Sequence, residues 1–169
     1  MSDSLADRLK RKLEQQARGQ QEEQSVRGLQ ERANAFISDN ARPEYERLQS
    51  QLQTQIELVN PSIGQLPPFQ FVQGSGMIQQ GNCVAYIHLD KPIVNQPNNQ
   101  LLVSFGPHPN NIYFDDPPAP IRYRLHAAAN NSIDKIVWVG DLGELTTAQL
   151  SEFILETLTD YYLEHKPGQ

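Results

Sequence analysis

The sequence predicts an α+β protein with long N-terminal helices, an antiparallel β-meander of about five to seven strands, and a C-terminal helix packed on the sheet. Residues 1–60 contain one proline and two aromatic residues, whereas residues 61–169 contain the other 11 of each. A proline-poor segment rich in Gln, Glu, Arg and Leu favours long helices, and a segment rich in proline, aromatic and β-branched residues favours strands joined by turns. Helices and strands that are segregated along a chain are typical of the α+β class.

The first element is an N-terminal helical extension. Leu5, Leu9 and Leu13 recur every four residues, which places them on one narrow helical stripe, and apolar periodicity resumes from Val26 to Ile37. Two predictions stay open for residues 1–25. They form such a helix, or, because their hydrophobicity is low, they form a frayed and partly disordered tail. We assign residues 1–42 to the extension and residues 43–169 to the α+β domain.

A second helix is predicted to begin at Pro43. Proline lacks a backbone donor and clashes inside a helix, but it fits the first helical turn. Asn60-Pro61 is expected to end this helix, and residues 61–68 read as an extended linker. The apolar stripe of this helix comprises Tyr45, Leu48, Leu52, Ile56 and Val59.

The strands follow as short apolar or alternating runs that are separated by glycine, proline and asparagine. The intervening segments include a turn at residues 74–76 and a polar loop at residues 92–99. The predicted strands are Phe69–Val72, Met77–Gln80, Cys83–Leu89, Leu101–Phe105, Ile112–Phe114, Ile121–Ala127 and Ile133–Val139.

The last element is an amphipathic helix. Thr146 or Thr147 is suited to cap its first turn, and Gln149 lies three residues after Thr146 in a capping-box arrangement. Pro167-Gly168 is expected to stop it. Its apolar face comprises Leu150, Phe153, Ile154, Leu158, Tyr161 and Tyr162.

Composition excludes several classes of protein. The apolar runs are far shorter than the ~20 residues that span a bilayer, so no membrane association is expected. A single cysteine cannot form an internal disulfide framework, and the N-terminus lacks a signal-peptide pattern; both favour a cytoplasmic location. A net charge of −6 argues against nucleic acid as a partner.

No catalytic motif is present. The glycine-rich stretch from Gly74 to Gly81 lacks the Lys-Ser/Thr pair of a phosphate loop and reads as hairpin turns. Cys83 lies in an alternating apolar run with no neighbouring cation, which favours a buried, inert thiol. The sequence therefore favours a protein with no catalytic residue, no metal and no cofactor.

Arg122, Arg124 and His126 alternate along one face of a predicted strand. They could form a small anion-binding patch, joined by His88, or they could be the solvated face of an antiparallel sheet. A metal site of His88, His126 and Asp90 would require the two histidine-bearing strands to be neighbours.

Two resemblances to known folds are limited. The order of elements resembles that of ubiquitin-conjugating proteins: a helix, a meander, the Pro117–Pro120 turn and a final helix. However, the sole cysteine, Cys83, precedes this turn instead of following it. The chain also resembles secretion chaperones, which are small acidic α+β dimers with long helices. Neither resemblance assigns a family, and fold alone does not give function.

The function we expect is that of a non-catalytic protein-interaction or adaptor domain. One small sheet cannot easily cover both N-terminal stripes, so we expect a homodimer in which the helices pair, as in a coiled coil. A further protein partner is also compatible with this function. Two alternatives stay open: a small-molecule-binding domain or enzyme with a site assembled from separated strands, and a secretion-chaperone-like or structural protein. The expected interface residues are Leu29, Phe36, Leu48 and Leu52.

Overall fold

The computed structural model of the chain describes residues 4–72, 75–90 and 99–166. Within these ranges a long helix, α1 (Leu5–Val59), precedes a seven-stranded antiparallel sheet and a second helix, α2 (Thr147–His165). The sheet order follows the chain, so the predicted α+β meander is confirmed. Its strands are β1 (Phe69–Val72), β2 (Met77–Gln80), β3 (Cys83–Leu89), β4 (Gln100–Pro107), β5 (Ile121–Ala129), β6 (Ile136–Gly140) and β7 (Gly143–Leu145).

Several sequence predictions fall outside the described residues. They are the first three residues of the extension, Gly74 of the predicted turn, most of the 92–99 loop, and the Pro167-Gly168 stop.

The prediction that a new helix begins at Pro43 is wrong, because α1 runs through this residue without a break. Pro43 cannot bond the carbonyl of Asp39, but both residues are exposed, so water can satisfy that carbonyl. The buried stripe continues on both sides of the proline, and its burial holds the helix together. It comprises Ile37, Ala41, Tyr45, Leu48, Leu52 and Ile56.

Two strand predictions also need correction, and turn chemistry explains both. Residues 112–114 form no strand, because Asn111 accepts a hydrogen bond from the Tyr113 amide at 2.8 Å and folds the chain into a turn. The strand predicted from Ile133 begins at Ile136, because Asn130 Oδ1 accepts from the amides of Asp134 and Lys135. Short polar side chains that bond nearby backbone compete in this way with the sheet ladder.

The end of the sheet and the linker differ from the prediction in smaller ways. Residues 143–145, which lie outside every predicted strand, pair with β6 as β7. The first part of the 61–68 linker is not extended, since Asn60–Ser62 forms a 3-10 turn. The predicted end of α1 before Asn60 and the capping box of Thr146 and Gln149 are both confirmed.

Both helices pack on the same face of the sheet and enclose the core with it. An edge-to-face cluster of Phe105, Tyr123 and Phe153 joins β4 and β5 to α2, with ring centroids 5.3–6.4 Å apart. Trp138 of β6 is fully buried. Only the second half of α1 takes part in this core, which leaves the first half outside the domain.

Polar contacts fix α1 against the rest of the domain. Trp138 Nε1 donates to Thr147 Oγ1 at 3.1 Å, and that hydroxyl donates to Glu44 Oε1 at 2.6 Å, which links β6, α2 and α1. Asn60 exchanges two hydrogen bonds with the backbone of Phe69, at 2.9 and 3.0 Å. The end of α1 and the start of β1 are thereby held at one place.

Candidate functional site

The sheet face opposite the helices carries the predicted binding residues. Arg122, Arg124 and His126 are exposed on β5, while the alternate residues Leu125 and Ala127 face the core. In the register of the strands, Arg124 lies beside the half-buried Leu102 of β4, and Arg122 lies beside Ser104. The arrangement is that of a solvated antiparallel sheet face.

His88 is not adjacent to these three residues. Its strand, β3, is separated from β5 by β4, and Leu102 lies between His88 and Arg124 in the register. His126 lies in another row, opposite Gln100. The condition for the His88–His126 metal site, that their strands be neighbours, is therefore not met.

His88 instead approaches a carboxylate on its own strand end. Its Nε2 lies 3.2 Å from Asp90 Oδ1, and both side chains are more than half exposed. Among the described residues, no cluster of three or more His, Cys, Asp and Glu side chains is arranged to hold a metal ion.

The four expected interface residues lie in different environments. Leu48 and Leu52 are fully buried in the chain's own core, so a second copy cannot reach them without unfolding the domain. Phe36 is partly buried against that core. Leu29 is 53% exposed and is the only one of the four that is freely accessible.

The most unusual surface is the arm, which we define as residues 5–36 of α1. Every residue from Ser4 to Arg32 is exposed except Gly19 and Gly28. At 1.5 Å per residue the arm is about 50 Å long. Its large apolar residues before Ala33 are between 51% and 65% exposed, and they are Leu5, Leu9, Leu13, Val26 and Leu29.

The charge of the arm is also distinctive. Residues 4–18 contain five basic and two acidic residues in a chain whose net charge is −6. On a helix, Arg8 and Lys12 stack four residues apart beside the leucine stripe, whereas Asp7 and Glu14 lie on the opposite side. The tip of the arm, which we define as residues 5–18, is thus a basic amphipathic helix.

A groove with a volume of about 620 Å³ lies between the end of α1 and the middle of α2. Its floor is apolar and includes Leu155 and Phe69, each 6% exposed, and its edge carries Leu58, which is 70% exposed. The residues that line the groove are Gln55, Leu58, Val59, Ile63, Leu66, Phe69, Glu152, Leu155, Glu156, Thr159 and Asp160.

One wall of the groove is acidic. Glu152, Glu156, Asp160 and Glu164 recur every four residues along α2, and we call them the acidic row. No described lysine or arginine forms an ion pair with any of them. Like charges four residues apart destabilise a helix by about 0.2–0.5 kcal/mol per pair, so the row has a cost that a cationic partner would relieve.

A second cleft, of about 450 Å³, is more polar. Its side-chain amides hold the protein's own turns: Gln79 donates to the Gly81 carbonyl, Asn82 to the His165 carbonyl, and Asn111 accepts from the Tyr113 amide. Each of these three side chains therefore already makes a hydrogen bond to the protein's own backbone.

Cys83 of β3 and Tyr161 of α2 are two of the buried ionisable groups of the core. Burial raises the pKa of the Cys83 thiol to about 12, and burial together with the nearby Cys83 raises the pKa of Tyr161 to about 12. Both groups are therefore neutral near pH 7. A neutral buried thiol is a poor nucleophile.

Comparisons with protein-family models, with curated proteins and with solved structures found no match for this chain. Among the described helices, none combines the length and the apolar character that crossing a bilayer requires.

Sequence reasoning missed the groove, although two charge patterns of this surface and of the arm can be read from the sequence. The four-residue spacing of the acidic row and the basic cluster before Glu14 are visible in the sequence. The groove itself is formed by residues that lie about 100 positions apart, such as Leu58 and Leu155, and no local pattern brings these together.

Proposed function

We propose that this protein is a non-catalytic interaction protein that forms a homodimer through the arm. The observation that carries the proposal is the exposed row of apolar residues on the arm, each more than half accessible. Isolated helices depend on packing for most of their stability. A helix of this length, which packs on the core only at its Phe36 end, gains that stability when a partner covers it.

A second copy of the chain is the simplest partner. Two-fold symmetric contacts, in which the same surface is used on both subunits, are the commonest way for soluble proteins to associate. The domain beyond the arm keeps its open sheet face, so an assembled dimer still presents a surface to another protein. This is the arrangement an adaptor needs.

The test compares association of the full chain with that of a variant of the arm. Sedimentation velocity at tens of micromolar should give a dimer for the wild type and a folded monomer for Val26→Glu/Leu29→Glu, because charges would then replace the apolar contacts. Ile112→Glu is the matched control, since Ile112 is 85% exposed on a loop, and it should remain dimeric. A wild type that is monomeric under these conditions contradicts the proposal.

A further inference from the structure

The tip of the arm and the groove both present apolar residues, and they carry opposite charges. The tip presents Leu5, Leu9 and Leu13 with Arg8 and Lys12 beside them. The groove presents an apolar floor with Glu152 and Glu156 along one wall. We propose that the tip of one copy lies in the groove of a second copy, an inference that rests on the proposed self-association.

The spacing of the two charged rows supports this docking. Arg8 and Lys12 are four residues apart, as are successive members of the acidic row. Four residues of helix rise about 6 Å at 1.5 Å per residue, so both rows repeat at the same interval when the helices lie side by side. Each arginine or lysine then faces a carboxylate that has no basic partner among the described residues.

The tip that lies in a groove must belong to another copy of the chain. Leu9 precedes Leu58 by 49 positions in one continuous helix, which corresponds to about 74 Å along the axis. The tip therefore cannot reach its own groove while α1 is intact, although the tip of a neighbouring molecule can.

The docking is compatible with two-fold symmetry. If Leu9 of one copy lies beside Leu58 of the other and the α1 helices run antiparallel, the symmetry axis passes near Ala33 and Asn34. Each copy then places its tip in the groove of the other, so both grooves are filled and the assembly closes as a dimer. In this dimer the leucines supply most of the affinity, and the exposed charge pairs set register and orientation, since such pairs add little stability.

Cross-linking tests the contact directly. We expect a disulfide between chains when a Leu9→Cys protein is mixed with a Leu58→Cys protein under mild oxidation. Native Cys83 is fully buried and should not compete. The matched control pairs Leu9→Cys with Arg124→Cys on the open sheet face, and it should give little product. Equal cross-linking to both positions, or none to Leu58→Cys, overturns the proposal.

Charge reversal tests the same contact without cysteines. Arg8→Glu/Lys12→Glu and Glu152→Lys/Glu156→Lys/Asp160→Lys should each weaken self-association at least tenfold, and mixing the two variants should restore a one-to-one complex. If neither variant changes association while Val26→Glu/Leu29→Glu still gives monomers, the groove is not the docking site but self-association stands. A monomeric wild type overturns both proposals.

A membrane surface would attract the same basic amphipathic tip. Vesicles of phosphatidylcholine and phosphatidylserine separate the two cases. If the wild type binds these vesicles, and Arg8→Glu/Lys12→Glu abolishes that binding while leaving self-association unchanged, the tip belongs to the membrane surface and the docking proposal fails.

Discussion

The two halves of α1 belong to one continuous helix but lie in opposite environments. From Ile37 onward the helix buries a stripe of six residues in the core, whereas the arm before it buries none. Both halves carry apolar residues at helical spacing. Periodicity therefore shows that a helix has a face to cover, but it does not show whether the chain itself or another molecule covers it.

The largest effect should come from truncating matched leucines in the two halves. Leu48→Ala should lower the free energy of unfolding by about 2–5 kcal/mol, because it leaves a cavity in a packed core. Leu9→Ala, at a position that is 51% exposed, should change it by less than about 0.5 kcal/mol in dilute monomer. Urea unfolding at low protein concentration measures both, and equal losses would remove the distinction between the halves.

The second effect concerns the contact that fixes the buried half. Thr147→Val removes the hydroxyl that accepts from Trp138 and donates to Glu44. Leaving these partners unpaired should lower the free energy of unfolding by about 1–3 kcal/mol. Ser4→Ala is the matched control at the other end of α1, since it removes only an exposed cap. A neutral Thr147→Val variant would show that the network does not anchor α1.

Alkaline pH should destabilise the domain through its buried acids. The pKa values of Cys83 and Tyr161 rise to about 12 in the folded protein from ordinary values of 9.0 and 10.0. Above pH 9.0 the unfolded chain therefore loses these protons before the folded chain does, and stability falls as the pH approaches about 12. The midpoint of urea unfolding, followed from pH 8 upward, should show this decrease.

Tyr161→Phe separates the contribution of one group from this decrease. The Tyr161 hydroxyl is buried and has no hydrogen-bond partner among the described residues. Its removal should stabilise the domain by about 1 kcal/mol at neutral pH, and the advantage should grow above pH 10.0, where the unfolded tyrosine ionises. A variant that is destabilised at neutral pH would mean that the hydroxyl has a partner.

The smallest effect is expected in the arm itself. Gly19 lies inside α1, and a Cβ placed there would meet no other atom within 4 Å. Gly19→Ala should therefore stabilise the local helix by about 1 kcal/mol, and circular dichroism should show higher helicity on heating. The melting temperature of the domain should stay unchanged, because residues 37–59 hold it. A shift of that temperature would mean that the arm and the core unfold together.

The sequence was sufficient for the fold class, for most strands and for the capping box, because these follow from composition, alternation and local hydrogen bonding. It misplaced the break at Pro43, since a local rule about proline was outweighed by a buried stripe that continues across it. Tertiary packing also separates residues that the sequence placed in one interface: Leu48 and Leu52 lie in the core, whereas Leu29 is exposed. The groove was beyond local reasoning because its walls are distant in sequence.

Amide hydrogen exchange at increasing protein concentration tests the central claim, that a second copy covers the arm. We expect protection of residues 5–36 to rise with concentration as dimers form, while protection of residues 37–59 stays high at every concentration, because their packing lies within one chain. Fast exchange in the arm that does not change with concentration would contradict the account.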